Sequence, residues 1–376
     1  MDNSTLTTIG SLVTTALLCI TAESQAAQLY NITKINTLGG STSTALSIND
    51  LGQVVGHSNV SSGDLHPYVW NNGVMTDLGT LGGVEGRSYH INNSGTVFGT
   101  SFPTPPQAAN PYRATVWSSS PPINLGTFGG TRSTAWTGNE AGQAAGGARQ
   151  TTGDLTKAFY WDGVNPIVDI GTLPGGTIAN VWRMNNNGFD TGYSGYDGKA
   201  KTRVIVWNLN NLSSITRTDL GTLGGTAGDG YGINELGQVV GYSTNAAGTL
   251  RAFYWGGSGP LVDLQTLGGT TGEAYAISDN GQIVGRSRNT AELLRATLWD
   301  SGKIHDLTSL ISNNVEGWVL DTALNINDAG AIVGRGTVGG VQRGFVLTPI
   351  PEPTTLSLLA CAGLLALRRR RSVFTH

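Results

Sequence analysis

Apolar and polar positions alternate along this chain in short runs that return at a near-constant interval. YGINELGQVVGYS, Tyr231 to Ser243, shows the pattern: alternating positions, a break at Asn234 to Gly237, then alternation again. A period of two over so few residues predicts strands with one buried face. The break predicts a tight hairpin, because an Asn side chain caps such a turn and Gly supplies its left-handed residue. Related breaks stand at Asn49 to Gly52, Asn92 to Gly95, Asn139 to Gly142 and Asn327 to Gly330. A third run follows, RAFYW at Arg251 to Trp255, and then a fourth, such as Pro166 to Ile170.

The whole series recurs seven times at spacings of 43 to 49 residues. Its third run ends at Trp70, Trp117, Trp161, Trp207, Trp255 and Trp299, with Leu347 in the seventh copy. Between copies stands a glycine motif: DLGTLGG at Asp77 to Gly83 and Asp219 to Gly225, NLGTFGG at Asn124 to Gly130, DLQTLGG at Asp263 to Gly269, and a decayed DLTSLI at Asp306 to Ile311. A phosphate-binding loop would occur once, open a helix and end in Gly-Lys-Ser/Thr. This motif does none of these, so it reads as part of an internal repeat.

Four antiparallel strands in about 45 residues, repeated, predict an all-β fold: a seven-bladed β-propeller of four-stranded blades. A solenoid is the alternative, with shorter repeats and capped ends. The ends favour a ring. The chain enters with a lone fourth strand, Leu29 to Ile35, and leaves after a third strand, Gly344 to Leu347, so pairing them closes the circle and removes the exposed edges.

Composition agrees. Among 376 residues there are 55 Gly and 13 Pro, with 12% charged, which is too much glycine for a helical protein. Cys19 and Cys361 both lie outside the repeats, so no disulfide or thiolate chemistry is expected in the body of the protein. Residues 1–26 read as a signal peptide, with an apolar run from Ile9 to Ile20 and a small-x-small cleavage pattern at Ser24 to Ala26. Residues 27–349 hold the repeats. Residues 350–376 contain a 14-residue uncharged stretch, Thr354 to Leu367, followed by Arg368, Arg369, Arg370 and Arg371. As a helix that stretch reaches about 21 Å, short of a hydrocarbon core of about 30 Å. The arginines would keep its end on the cytoplasmic side.

The AFYW at Ala158 to Trp161 and Ala252 to Trp255, with GINELGQVVGYS as companion, resembles the HAF family of extracellular repeats. The third and fourth copies are degenerate, with AGQAAGGA and NNNGFDTGYS in place of the companion motif. Pro351, Glu352 and Pro353, the short helix and the basic tail together resemble a PEP-CTERM sorting signal. That resemblance implies processing by a membrane protease of the exosortase class after transient membrane insertion. It also implies a Gram-negative host that makes exopolysaccharide, and a cell-surface or matrix location. No catalytic residue comes with either resemblance.

The search for chemistry yields little. His57, His66, His90, His305 and His376 lack metal-ligand spacing, and no cofactor or metal is expected. A Gly-x-Ser recurs at Gly56 to Ser58, Gly99 to Ser101, Gly241 to Ser243 and Gly285 to Ser287, but as part of a repeated strand and never as Gly-x-Ser-x-Gly. The turn acids Asp50, Glu140, Glu235, Asp279 and Asp328 suit turn chemistry, with calcium binding or acid catalysis as alternatives.

Four residues before each terminal aromatic stands His66, Arg113, Lys157, Arg203, Arg251, Arg295 or Arg343. These either pair with Asp77, Asp169, Asp219, Asp263 and Asp306 on the next strand, or form a basic annulus for an acidic polysaccharide. The residue before the Ser of Gly-x-Ser varies, as His57, Thr100, Gly147, Tyr193, Tyr242, Arg286 and Arg335, and is read as unconstrained surface in preference to a binding surface.

Without its terminal segments the chain holds 18 basic and 22 acidic residues, which disfavours nucleic acid as a partner. The expected role is therefore a non-catalytic binding or scaffold protein, exported to the surface, with exopolysaccharide or envelope proteins as partners. The alternative is a propeller enzyme, a lyase or hydrolase, acting on polysaccharide.

Overall fold

The computed structural model describes residues 27–104, 111–118, 120–153, 155–196 and 201–351. The expected signal peptide and the tail from Glu352 onward, with Pro353, the short helix and Arg368 to Arg371, lie outside the described residues; Pro351 is described and exposed. In the small terminal unit, Ile350 N donates to Leu29 O at 2.9 Å and Gln28 Nε2 to Ile350 O at 2.7 Å. Tyr30–Pro349 form the other unit, which is a seven-bladed β-propeller.

Blade 1 consists of Gly39–Ile48, Val54–Val60, Leu65–Asn71 and Val74–Asp77, each antiparallel to the next. Blades 2 to 6 repeat it over 82–124, 129–169, 178–221, 224–263 and 268–306. Blade 7 takes Val319–Ile326, Ile332–Val338 and Val341–Pro349 from one end of the repeats and its outermost strand, Tyr30–Lys34, from the other, with Ile32 opposite Leu347. The strand missing at one end is thus supplied by the other.

Each first hairpin is set by its Asn. In blade 1, Asn49 N donates to Gln53 O at 3.0 Å, Asn49 Oδ1 accepts from Gln53 N at 2.8 Å, and Gly52 takes the left-handed φ of +76° that the turn needs. Where the glycine motif decays, at Asp306, the link becomes a 3₁₀ turn, Leu307–Leu310, capped by Asp306 through Thr308 N.

Between blades the core is apolar. At the closing seam Ile35, Ala45, Val54, Tyr68 and Trp70 pack with Ala331, Val333 and Val346, all at most 8% exposed. Burial of this kind stabilises by roughly 25 cal/mol per Å² of apolar surface. The seam is therefore built like any other blade boundary. First strands of consecutive blades touch all the way round, that of blade 7 meeting that of blade 1, so they line a central channel. One end of the channel lies at the Asn turns, the turn face; the other lies at the glycine motifs, the glycine face.

Candidate functional site

In every blade the pairing of first and second strands breaks at an equivalent place just before the hairpin. The breaks fall between Ala45 and Ser47, Ser88 and His90, Ala135 and Thr137, Val181 and Arg183, Gly230 and Gly232, Ala274 and Ala276, and Ala323 and Asn325. A bulge of this kind inserts one residue and re-aims its side chain. The inserted residues are Leu46, Tyr89, Trp136, Trp182, Tyr231, Tyr275 and Leu324, one per blade.

The same bulges explain the Gly of Gly-x-Ser. A Cβ on Gly56, Gly99, Gly146, Gly192, Gly241, Gly285 or Gly334 would meet a first-strand carbonyl oxygen at 1.8 to 2.1 Å. The Ser is structural too. Ser58, Ser101, Ser194, Ser243 and Ser287 each accept a bond from the backbone N–H of a residue just before the first strand, such as Leu38 N at 2.9 Å. All five are buried, in contacts that leave no role as a nucleophile.

The bulged aromatics form an arc. Tyr89 and Trp136 lie 4.3 Å apart between ring centres, Trp136 and Trp182 4.6 Å, Trp182 and Tyr231 5.6 Å, and Tyr231 and Tyr275 5.3 Å. Five consecutive blades contribute, while Leu46 and Leu324 complete the ring with aliphatic side chains. Towards the glycine face, beside Trp136 and Trp182, opens a cavity of about 370 Å³ lined by blades 3 to 5 and by Tyr112. Tyr193, Tyr242, Arg132, Arg149, Asn180, Thr134, Thr156 and Thr202 also face it.

Asp229 is the one carboxylate among the described residues lining this cavity. It is buried, accepts a bond from Trp182 Nε1 at 2.8 Å, and is held well above the ordinary carboxylate range by that burial. Burial also pushes the Tyr193 and Tyr242 hydroxyls up to about 12, with the Asp229 charge adding to it. A single carboxylate does not supply the facing acid pair used in most glycoside hydrolysis.

Deeper in, Arg183 crosses the channel. Its Nη1 donates to His90 Nδ1 at 2.6 Å, and with the Asn325 amide turned to suit, its Nη2 donates to Asn325 Oδ1 at 2.9 Å. Burial lowers the guanidinium to about 10, and burial, then the Arg183 charge, pushes His90 well below its usual range. Blade 4 is thereby tied across the axis to blades 2 and 7.

At the turn face the repeated acids form a belt. Asp50 N donates to Asn93 Oδ1 (2.9 Å), Asn93 N to Glu140 Oε1 (2.9 Å), Glu140 N to Asn186 Oδ1 (2.8 Å), and Asn186 N to Glu235 Oε1 (3.1 Å). Glu235 N donates to Asp279 Oδ1 (2.8 Å), Asp279 N to Asp328 Oδ1 (2.8 Å), and Asp328 N returns to Asp50 Oδ1 (3.1 Å). The turn acids thus link blade to blade. Among the described residues no three His, Cys, Asp or Glu side chains converge as a metal site.

The basic residues of the third strand are also used internally. His66 pairs with Asp77 at 2.8 Å, Arg251 with Asp263 at 2.9 Å and Arg295 with Asp306 at 3.5 Å. Arg113, Lys157 and Arg343 reach the next blade instead, donating to the carbonyls of Thr131, Thr177 and Ser41. Arg203 occupies the same place on its strand, opposite Ser194. Staples within and between blades account for their recurrence.

The variable position is not free surface. His57, Tyr193, Tyr242, Arg286 and Arg335 are half-buried and Thr100 and Gly147 buried, because each points at the first strand of its own or the next blade. Arg286 pairs with Glu273 at 2.6 Å and Arg335 with Asp321 at 3.1 Å. Burial, then the Arg87 charge, lowers His57 to about 4. Gly147 leaves open the space that the other copies fill, and Asn180 of blade 4 projects into it.

The sequence reading missed the aromatic arc, although it left a signal. Tyr89, Trp136, Trp182, Tyr231 and Tyr275 each stand three residues before the turn residue that opens the hairpin, Asn92, Asn139, Asn185, Asn234 or Ser278.

No protein-family model and no curated protein matches this chain. Among solved structures it is similar to a puromycin-hydrolyzing peptidase of Mycobacterium tuberculosis, with a TM-score of 0.56 and 12% identity over 86% of this chain and 54% of that one. The chain therefore spans about half the length of the peptidase. Also similar are an Aleuria aurantia lectin in complex with Fucα1-6GlcNAc (TM-score 0.39, 15% identity, 74% of this chain and 94% of that one) and a Trypanosoma rangeli sialidase in complex with the inhibitor DANA (0.36, 9%, 88% and 56%). The likeness to the peptidase is one of fold.

Proposed function

We propose that this protein is an exported, non-catalytic carbohydrate-binding propeller of the cell surface or exopolysaccharide matrix. The observation that carries the reading is the arc of five aromatic side chains, aimed into the channel by bulges and open beside a cavity of about 370 Å³. Sugar rings present an apolar C–H face edged by hydroxyls. Aromatic rings with neighbouring Thr, Asn and Tyr groups match both, and pockets of this size and make-up are the usual form of a ligand site. In the same proposal, the Pro351 to Arg371 segment directs the chain to an exosortase-type protease, which accounts for delivery to a matrix.

Co-sedimentation of the full chain, kept in mild detergent, with the host's own exopolysaccharide tests the reading. Binding should fall at least about tenfold in a Trp136→Ala, Trp182→Ala double variant that keeps its fold. Retained binding by that variant, or shortening of the polymer by the wild-type protein, would overturn it.

A further inference from the structure

The cavity beside the arc carries a charge pattern that a neutral sugar does not use. Arg132 and Arg149 both line it, from the first and second strands of blade 3. Arg132 Nε is buried and has no hydrogen-bond partner among the described residues, while its guanidinium lies 5.4 Å over the Tyr112 ring. A buried donor without a partner is costly, so a ligand oxygen reaching it gains more than it would at a solvated arginine. A guanidinium presents its N–H groups as a planar fork that matches a carboxylate.

Trp136 and Trp182 line the cavity together with that fork. The one acid among the described residues of the lining, Asp229, is engaged by Trp182 Nε1, and burial disfavours its charged form, which weakens it as a counter-ion. An aromatic cage for an ammonium group would need that acid ionised and the arginines elsewhere. Gly147 lines the cavity without a side chain, and Asn180 projects beside it.

Resting on the carbohydrate-binding reading, we propose that this cavity is a subsite for an acidic sugar residue of the uronic acid class. Its carboxylate meets Arg132, and its pyranose face lies against Trp136 and Trp182. The ligand is thus an acidic polysaccharide, recognised one residue at a time.

The test is calorimetric titration of the full chain with oligogalacturonate and with the same oligosaccharide after reduction of its carboxyl groups. The acidic form should bind at least about tenfold more tightly and lose that advantage in Arg132→Gln, while the neutral form is unaffected by the substitution. Gly147→Tyr, which fills the space without removing a charge, should abolish binding of the acidic form and serves if Arg132→Gln does not fold. Equal binding of the two oligosaccharides would overturn the acidic subsite and leave carbohydrate binding standing. Binding of neither, with binding of the host polymer also absent, would overturn both. Choline binding more tightly than either oligosaccharide would reassign the cavity to a cation.

Discussion

Blades 5 and 6 keep the repeat motif almost intact, and blades 3 and 4 are the copies in which it has decayed. In blades 5 and 6 the variable position is filled: Tyr242 packs against Tyr231, and Arg286 pairs with Glu273. In blade 3 it is Gly147 beside a cavity; blade 4 supplies Arg183 to the channel and places Asp190 in a core position. The backbone registers the difference at the start of blade 4, whose first strand has seven residues against ten in blades 3, 5 and 6. All four blades have the same bulge, the same hairpin and the same strand order. What repeats in the sequence therefore builds the frame, and the chemistry sits where the repeat is broken.

The largest expected effect tests whether the frame really is common to both pairs of blades. Gly192→Ala in blade 4 and Gly241→Ala in blade 5 each drive a Cβ into a carbonyl oxygen, at 1.9 and 2.0 Å. Overpacking against backbone should cost on the order of 3 kcal/mol in either blade. Urea unfolding followed by tryptophan fluorescence measures it, and a much smaller loss in blade 4 would mean that the decayed copies have a looser frame.

Next comes Asp190, where the corresponding residues are Val54, Val97, Ala144, Val239, Ile283 and Ile332. Neither of its oxygens has a hydrogen-bond partner among the described residues, and burial raises it well above the carboxylate range. The Tyr160 hydroxyl is the titratable group coupled to it. Because the folded-state value is raised, the contribution of Asp190 to wild-type stability is greatest in acid. It declines as pH climbs from about 4, where the unfolded chain ionises, and levels off beyond the raised value. Asp190→Val should reduce that slope, leaving the share of the other raised acid, Asp229, and add roughly 2 kcal/mol at neutral pH. Thermal melts from pH 4 to 8 would show it; parallel curves for the two proteins would count against the assignment.

Gly147→Tyr converts blade 3 into the likeness of blades 4 and 5. Asn180 Oδ1, 2.2 Å from the new Cβ, must swing aside, so stability should change by no more than about 1 kcal/mol while saccharide binding is lost. Titration of the variant with the host polymer reads the second effect, and a melt reads the first. If binding survives, the difference between the two pairs of blades is decay and nothing more.

The frame was legible because its causes are local. Asn and Gly in the hairpins, apolar alternation and the displaced terminal strand each act within one repeat, and they led to seven blades and the closure. The site was not, because it is assembled only when side chains of neighbouring blades meet. A bulge present in every copy leaves the spacing unchanged, so Trp136 and Trp182 read as further strand positions. Asp50 and Asp328 read as turn residues, since the partner of each is 278 residues away. His57 reads as surface, since Arg87, whose charge adds to burial in lowering it, belongs to the next repeat.

The smallest effect concerns a broken motif inside an otherwise regular copy. Where DLGT has Gly79, Gly171 and Gly221, blade 5 has Gln265, and it holds the same left-handed backbone, φ +67° against +66°, +75° and +77°. A side chain there costs about 1 to 2 kcal/mol, of which glycine's greater freedom in the unfolded chain returns about half. There is a second consequence. Trp117 Nε1 and Trp207 Nε1 donate to the carbonyls of Gly79 and Gly171 and Trp255 Nε1 to that of Gly259, but Trp299 Nε1, the counterpart facing Gln265, is buried without a partner among the described residues. Gln265→Gly should therefore raise stability by about 0.5 to 1 kcal/mol and let the Trp299 indole N–H find the carbonyl of residue 265. The indole resonance in a proton–nitrogen spectrum should then move downfield and exchange more slowly. A stability gain without that shift would assign the whole effect to the backbone, and no gain would mean that blade 5 tolerates its broken motif at no cost.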